Sequence, residues 1–298
     1  MSTASATLYA GVELGGTKCV CTLAGGPEQI LAQEVIATTS PQDTLGGIER
    51  VLDGWREQSP FAALGIATFG PADLDRQSPN YGSITTTAKP GWSGTDIAPR
   101  LGRRYGVETA FDTDVNGAAL AEMLWGAGHL LDDFAYITVG TGIGVGLIVN
   151  GNPTRGFAHS ELGHIRIPRI AGDDWPGTCP FHGDCVEGLA SGPAIQARLG
   201  TRAVADTTPA DPVWHSVAWT LAQLCHVLVC TAAPRLVVIG GGVIDKQPHL
   251  LARIEPLLVE SLAGYIELPQ GRPYIQAPRL GDQAGPLGAI ALAMRARD

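Results

Sequence analysis

Apolar positions along the chain recur at two spacings, and the switch between them predicts short strands interrupted by helices. Residues 8–14 form an apolar run that rises into Gly15-Gly16-Thr17-Lys18, and 19–24 continue as strand. That pattern predicts a β-hairpin with a glycine turn. Helical spacing follows over 44–55, then an apolar strand over 63–68, a polar loop over 81–92, a short strand over 110–113 and a helix over 117–125. The order then begins again, with a strand over 134–139, a glycine turn over 140–146 and a return strand over 147–149. A glycine turn between paired strands near the start of each half is a weak internal repeat, of the kind two α/β lobes facing one cleft produce. A long helix over 213–232, a strand over 236–239 ending in Gly240-Gly241-Gly242, and a helix over 285–294 complete the pattern. Alternating strands and helices with glycines at strand ends give an α/β class.

A length of 298 residues accommodates two domains. The expected division is a small N-terminal lobe over 1–116, completed by a C-terminal helix over 285–298, and a large lobe over 117–284. Hydrophobic residues make up 45% of the chain, enough for a sizeable core. Against 29 Asp and Glu there are 20 Lys and Arg, a formal charge of -9. That sign repels phosphate backbones and anionic lipid, so neither nucleic acid nor a membrane surface is an expected partner. An anionic ligand must then be held locally, by backbone amides, a few cations or a metal. The N-terminus lacks the pattern of a signal peptide, and His226, Pro234 and Arg235 interrupt the most apolar stretches. No membrane helix is therefore expected, and a cytoplasmic location is. Of the six cysteines, Cys19 and Cys21 alternate within a strand and Cys225 and Cys230 lie in an apolar helical stretch. All four are expected as small buried residues.

Phosphate groups need several amide N–H donors converging on one point, and only turns without side chains let the backbone approach closely. Gly15 to Lys18 and Gly140 to Gly142 each offer amides and a threonine hydroxyl, although either alone is also plain hairpin geometry. The P-loop spacing is absent. Residues 142–146 imitate a dinucleotide fingerprint, but strand and turn follow where that motif opens a helix, so a Rossmann oxidoreductase is set aside. Gly240-Gly241-Gly242 is a third such turn, and the three together favour a nucleotide cleft over three unrelated turns. Asp114, at a strand end after Asp112, is either a general base or, with Asn116, a cap for the following helix. His164 with Cys179-x-x-His182-x-x-Cys185 supplies the four soft or borderline ligands that tetrahedral zinc prefers, the alternative being unliganded thiols and imidazoles. Zinc there is expected to be structural, fixing the wall from Glu161 to Glu187 and orienting His164. Ser191 is a natural N-cap, with Pro193 in the first turn after it.

Glu13-Leu14-Gly15-Gly16-Thr17-Lys18 resembles the first phosphate segment of the ROK sugar kinases, and the run from Gly140 to Gly146 resembles the second. The spacing from Gly142 through Gly156 to Gly163-His164 is similar to that family's signature, with Ser160 where a smaller residue or proline is usual. Residues 85–92 (Thr-Thr-Thr-Ala-Lys-Pro-Gly-Trp), 112–117 and 179–185 resemble the zinc-containing fructokinase branch. The resemblance implies a two-lobed actin/hexokinase-like ATPase fold with a ligand cleft between lobes. It implies ATP-dependent phosphorylation of a hexose, D-fructose to fructose 6-phosphate first, with mannose, glucose and N-acetylmannosamine as alternatives. By the same resemblance Asp114 is the general base, and Gly91, Thr113, Glu161, His164 and Glu187 line the sugar site. Glu187 reads equally as a first-turn carboxylate favoured by a helix dipole. ATP is expected against Gly15, Gly16, Thr17, Lys18, Thr141, Gly142, Pro193, Gly240, Gly241 and Gly242. Magnesium arrives with ATP, and Glu13 stands where many members carry an Asp that helps hold it. Thr113 replaces an Asn common in the glucokinases. A homodimer fits the family. From another class, a non-catalytic sugar sensor or regulator is the competing reading; the strand beginning near Leu8 leaves no expected room for a DNA-binding domain before it.

Overall fold

A computed structural model describes residues 7–297. Residues 1–6 and Asp298, the last residue of the expected helix 285–298, lie outside the described residues. The chain begins β1 (Tyr9–Leu14), β2 (Lys18–Gly26), β3 (Gln29–Ala37), α1 (Pro41–Gln58), β4 (Ala63–Thr68), α2 (Ala98–Tyr105), β5 (Glu108–Thr113) and α3 (Asp114–Trp125). It continues with β6 (Phe134–Val139), β7 (Ile143–Val149), β8 (Asn152–Pro153), α4 (Val186–Ala190), α5 (Gly192–Leu199) and α6 (Pro212–Ala232). The last elements are β9 (Val237–Gly240), α7 (Gly242–Lys246), α8 (Leu251–Leu262), β10 (Ile275–Gln276) and α9 (Ala284–Arg295).

Two compact units result, each with its own sheet and core. The first runs to Leu130 and adds Pro153–His159 and the segment from Asp282 onward. Its sheet has the order β3-β2-β1-β4-β5, with β1 antiparallel to β2 and parallel to β4, and β4 parallel to β5. β4 is buried along its whole length, as a central parallel strand must be when both faces are covered. Helices α3 and α9 meet so closely that a Cβ on Gly288 would lie 2.3 Å from the Gly117 carbonyl carbon. This packing places the break after Leu130 and not after Asn116, where the sequence pattern put it: a cut at 116 would sever α3 from the layer it belongs to.

The second unit comprises Leu131–Asn152 and Ser160–Gly281, with sheet order β10-β9-β6-β7-β8. β6 pairs antiparallel with β7 and parallel with β9. Its core gathers Ile137, Val139, Val145, Trp214, Leu221, Leu228 and Ile239. Among the described residues, α6 alone is long and apolar enough to cross a membrane, which the sequence pattern did not anticipate; 67% of its most apolar stretch is buried inside the unit. Two local expectations are corrected. β7 begins at Ile143, so the turn is only 140–142: Ile143, Val145 and Leu147 alternate inward, and Gly144 and Gly146 belong to the strand. Cys230 is exposed, because it lies on the outward side of α6, whereas Cys225 is fully buried.

Candidate functional site

In the first unit the residues of interest gather at the ends of β1, β2 and β5. The turn joining β1 to β2 closes with Gly15 N donating to Lys18 O at 3.0 Å. It is braced from the end of β3, where Thr38 Oγ1 donates to Gly15 O at 2.8 Å and Thr38 N donates to Thr17 O at 2.9 Å. Lys89 reaches it from the polar loop and donates Nζ to Gly16 O at 2.6 Å. Gly16, Thr17 and Lys18 stay exposed. Among the described residues a Cβ on Gly16 would meet no atom within 4 Å, so their packing does not require glycine there; an open amide face suits close approach by an anion. Gly91 takes φ +79, and the neighbouring Trp92 is fully buried, donating Nε1 to Thr39 O at 2.9 Å.

Asp114 is the first residue of α3, at the carboxyl end of a parallel strand. The helix is capped by Thr113, whose side chain accepts from Asn116 N at 3.3 Å; neither Asp114 nor Asn116 is the cap. Asp114 Oδ1 accepts from Val115 N at 2.8 Å, which fixes the carboxylate's direction. Glu13, the penultimate residue of β1, lies over the first turn of α9: a Cβ on Gly285 would fall 2.0 Å from Glu13 Oε1. Burial pushes the Glu13 carboxyl up to about 7, the charge of Asp114 adds to this, and Lys18 opposes it. A carboxylate raised by burial beside a second acid is a common feature of functional sites.

In the second unit three glycine segments converge on the end of β6. Gly192 N donates to Gly140 O at 2.8 Å, bringing the α5 terminus to the β6–β7 turn. A Cβ on Gly241 would lie 2.7 Å from Val139 O, and φ there is +93, so this contact between backbones needs glycine. Thr141, Gly142, Pro193, Gly240, Gly241 and Gly242 are thereby neighbours of one strand end, with Ser191 capping α5 through Ala194 N at 3.4 Å.

Glu187, in the first turn of α4, does more than face a helix dipole. Its Oε2 accepts from Ile143 N at 3.0 Å and its Oε1 stands 3.9 Å from His164 Nε2. The other nitrogen of His164, Nδ1, is 3.6 Å from the Sγ atoms of both Cys179 and Cys185, and His182 Nδ1 is 3.7 Å from Cys179 Sγ. The four ligand atoms lie within 4.8 Å of one another. Tetrahedral bonds of about 2.3 Å to sulfur and about 2.0–2.1 Å to nitrogen require S···N separations of about 3.6 Å, so the donor set fits such an ion. Burial pushes the Cys185 thiol up to about 11, a cost that a bound cation removes. Glu161 precedes the short 3-10 turn that carries His164, and its carbonyl accepts from His164 N at 3.0 Å.

The sequence pattern did not point to two charged contacts. Lys89 was visible as part of a loop motif, but nothing local shows that its ammonium crosses to the β1–β2 turn. Arg155 pairs with Asp112, a residue 43 positions earlier, and such a pair leaves no local signal.

The pattern of the ROK family matches residues 9–296. A fructokinase of Zymomonas mobilis is 40% identical over 299 aligned residues, which cover 98% of this chain and 98% of the relative. A ROK hexokinase of Thermus thermophilus superposes with a TM-score of 0.79 at 26% identity, covering 97% of this chain and 98% of that one. A ROK family glucokinase of Streptomyces griseus, solved in complex with glucose and AMPPNP, superposes with a TM-score of 0.71 at 26% identity over 97% and 99% of the two chains. With paired glycine turns, an acid at the end of β5 and agreement along nearly its whole length, the chain belongs to the ROK family.

Proposed function

We propose that the protein is an ATP-dependent fructokinase that transfers the γ-phosphoryl group of ATP to the 6-hydroxyl of D-fructose. The observation that carries this reading is the 40% identity to a fructokinase along 98% of both chains. Phosphoryl transfer asks mainly for positioning and charge neutralisation, with one carboxylate to take the attacking hydroxyl's proton. Asp114 is that carboxylate. As O6 bonds to the γ-phosphorus, its proton passes to Asp114, and the bond to the β,γ-bridging oxygen breaks with its electrons leaving on ADP. Thr113, and not Asp114, caps α3, so the Asp114 carboxylate is not spent on the cap.

Gly91, Thr113, Glu161, His164 and Glu187 are assigned to the sugar hydroxyls on family membership. The amides of Gly15, Gly16, Thr17, Lys18, Thr141, Gly142, Gly240, Gly241 and Gly242 are assigned to the nucleotide. Pro193, which has no N–H, flanks it by packing. Magnesium supplied with ATP would neutralise the phosphates, with Glu13 on its water shell. His164, Cys179, His182 and Cys185 are assigned to a structural zinc. It would fix the His164 ring, so that Nε2 faces Glu187 and the sugar side while Nδ1 is a ligand. A homodimer and a cytoplasmic location complete the proposal on family membership alone. The test is ADP release with magnesium, ATP and a panel of hexoses. Fructose turned over in preference supports the reading, preference for another hexose replaces the sugar, and no turnover leaves a sugar sensor.

A further inference from the structure

Residues 153–159 are flanked in sequence by the second unit yet pack as part of the first. Two side chains fasten them there. His159 Nε2 accepts from Ala72 N at 3.0 Å, and Arg155 Nη2 donates to Asp112 Oδ2 at 2.5 Å. Arg155 and His159 also face each other in an antiparallel bridge, so the two anchors form one small clasp.

What the clasp holds is unusual. The Asp112 side chain is 0% exposed, while that of Arg155 is 39% exposed. A buried carboxylate needs a partner charge, because removing the partner leaves an uncompensated charge in a poor dielectric. Asp112 divides its two oxygens between two tasks. Oδ2 takes the guanidinium, and Oδ1 accepts from Thr113 N at 2.8 Å and from Asn116 Nδ2 at 2.7 Å. Those two donors flank Asp114 on either side. Among the described residues nothing hydrogen-bonds the buried Asn116 Oδ1, so the Asn116 amide is held through the nitrogen from which Asp112 accepts.

We propose that Arg155 is a positioning residue for Asp114, acting through Asp112 to lock the first turn of α3. The inference rests on the reading that Asp114 takes the hydroxyl proton. Without the guanidinium the buried Asp112 carboxylate is left uncompensated and turns toward water, which releases Thr113 N and Asn116 Nδ2 from Oδ1. Asp114 moves with that turn, and a displacement of about 1 Å in a reacting group costs about 100-fold in rate. Arg155 touches no reacting atom in this account, so the effect falls on kcat and not on substrate affinity.

The test compares Arg155→Met, Arg155→Lys, Asp112→Asn and the Arg155→Met/Asp112→Asn double variant in the ADP-release assay, with thermal unfolding of each. Arg155→Met is expected to lower kcat about 10- to 100-fold, with KM for fructose and for ATP within about threefold of wild type. Arg155→Lys, which keeps the charge, is expected to recover most of the loss. The double variant buries no lone charge and is expected to fold even if Arg155→Met does not, with kcat no lower than that of Asp112→Asn alone. Losses that multiply in the double variant, or an Arg155→Met enzyme within twofold of wild-type kcat, overturn the proposal. Wild-type turnover in the same plates keeps this outcome separate: wild type that phosphorylates no hexose overturns the functional reading and the inference with it.

Discussion

Glu13→Gln is expected to make the protein more stable, increasingly so as the pH rises. Glu13 is held against the first turn of α9 beside Asp114, and its carboxyl is pushed up to about 7 from 4.5. An acid with a raised folded-state pKa gives no penalty while both states are protonated. The penalty grows as pH rises through the unfolded value and is complete above the folded one, so stability is lost between about pH 4.5 and pH 7. Fully developed, a carboxyl at about 7 instead of 4.5 withdraws on the order of 3 kcal/mol. Linkage gives about 1.4 kcal/mol of that at pH 5.5 and nearly all of it at pH 8.5. Gln also has to be desolvated, but its cost does not vary with pH and cancels in the comparison. The gap between variant and wild type should therefore widen by about 2 kcal/mol between pH 5.5 and pH 8.5, or about 4–8 °C in Tm. The assay is thermal unfolding of both proteins at the two pH values, without nucleotide or added magnesium. Asp114→Asn removes the neighbouring charge and should narrow the wild-type pH dependence in the same direction. A Tm difference that is flat with pH, or that shrinks as pH rises, would refute the burial argument for Glu13.

Two further outcomes follow from contacts in the site. Purified protein should carry one zinc per chain by elemental analysis, and Cys185→Ser should lose it together with several degrees of Tm; substoichiometric zinc with undiminished activity after chelation would sink the assignment. Lys89→Met removes the ammonium that donates to Gly16 O at 2.6 Å, a charge-assisted bond worth about 1.5–3 kcal/mol in favourable settings, here partly exposed and so less. KM for ATP should rise about 3- to 10-fold with Tm nearly unchanged, and an unaltered KM for ATP would show that the β1–β2 turn does not need the brace.

The sequence made much of this legible wherever the signal was local. β4 and β6 are mostly apolar runs, each followed within two residues by a glycine, and their bounds coincide with the expected ones because burial along all of β4 and nearly all of β6 leaves few polar positions in either. The Cys-x-x-His-x-x-Cys spacing was equally plain, and Cys179, His182 and Cys185 do come together with His164. β3 was not legible: it is an edge strand with exposed Glu34 and Gln33, so neither a periodic pattern nor an apolar run marks it. α8 was hidden by Pro256 in its interior. The unit boundary and the Arg155–Asp112 pair depend on contacts between distant segments, where α3 packs on α9 and residues 153–159 return to the first unit. Asp114 illustrates both sides. Its strand-end position was readable, but whether it caps the helix could be decided only when Thr113 proved to hold that place.

Fructose phosphorylation with Asp114 as the base is tested by kcat for ADP release with fructose, magnesium and ATP, measured for wild type and Asp114→Asn side by side. Wild type should turn over fructose in preference to mannose, glucose and N-acetylmannosamine, and the variant should lose about 10²- to 10⁴-fold in kcat while still binding both substrates. An Asp114→Asn enzyme as fast as wild type would remove Asp114 as the base, and wild type that releases no ADP with any hexose would rule out a hexose kinase.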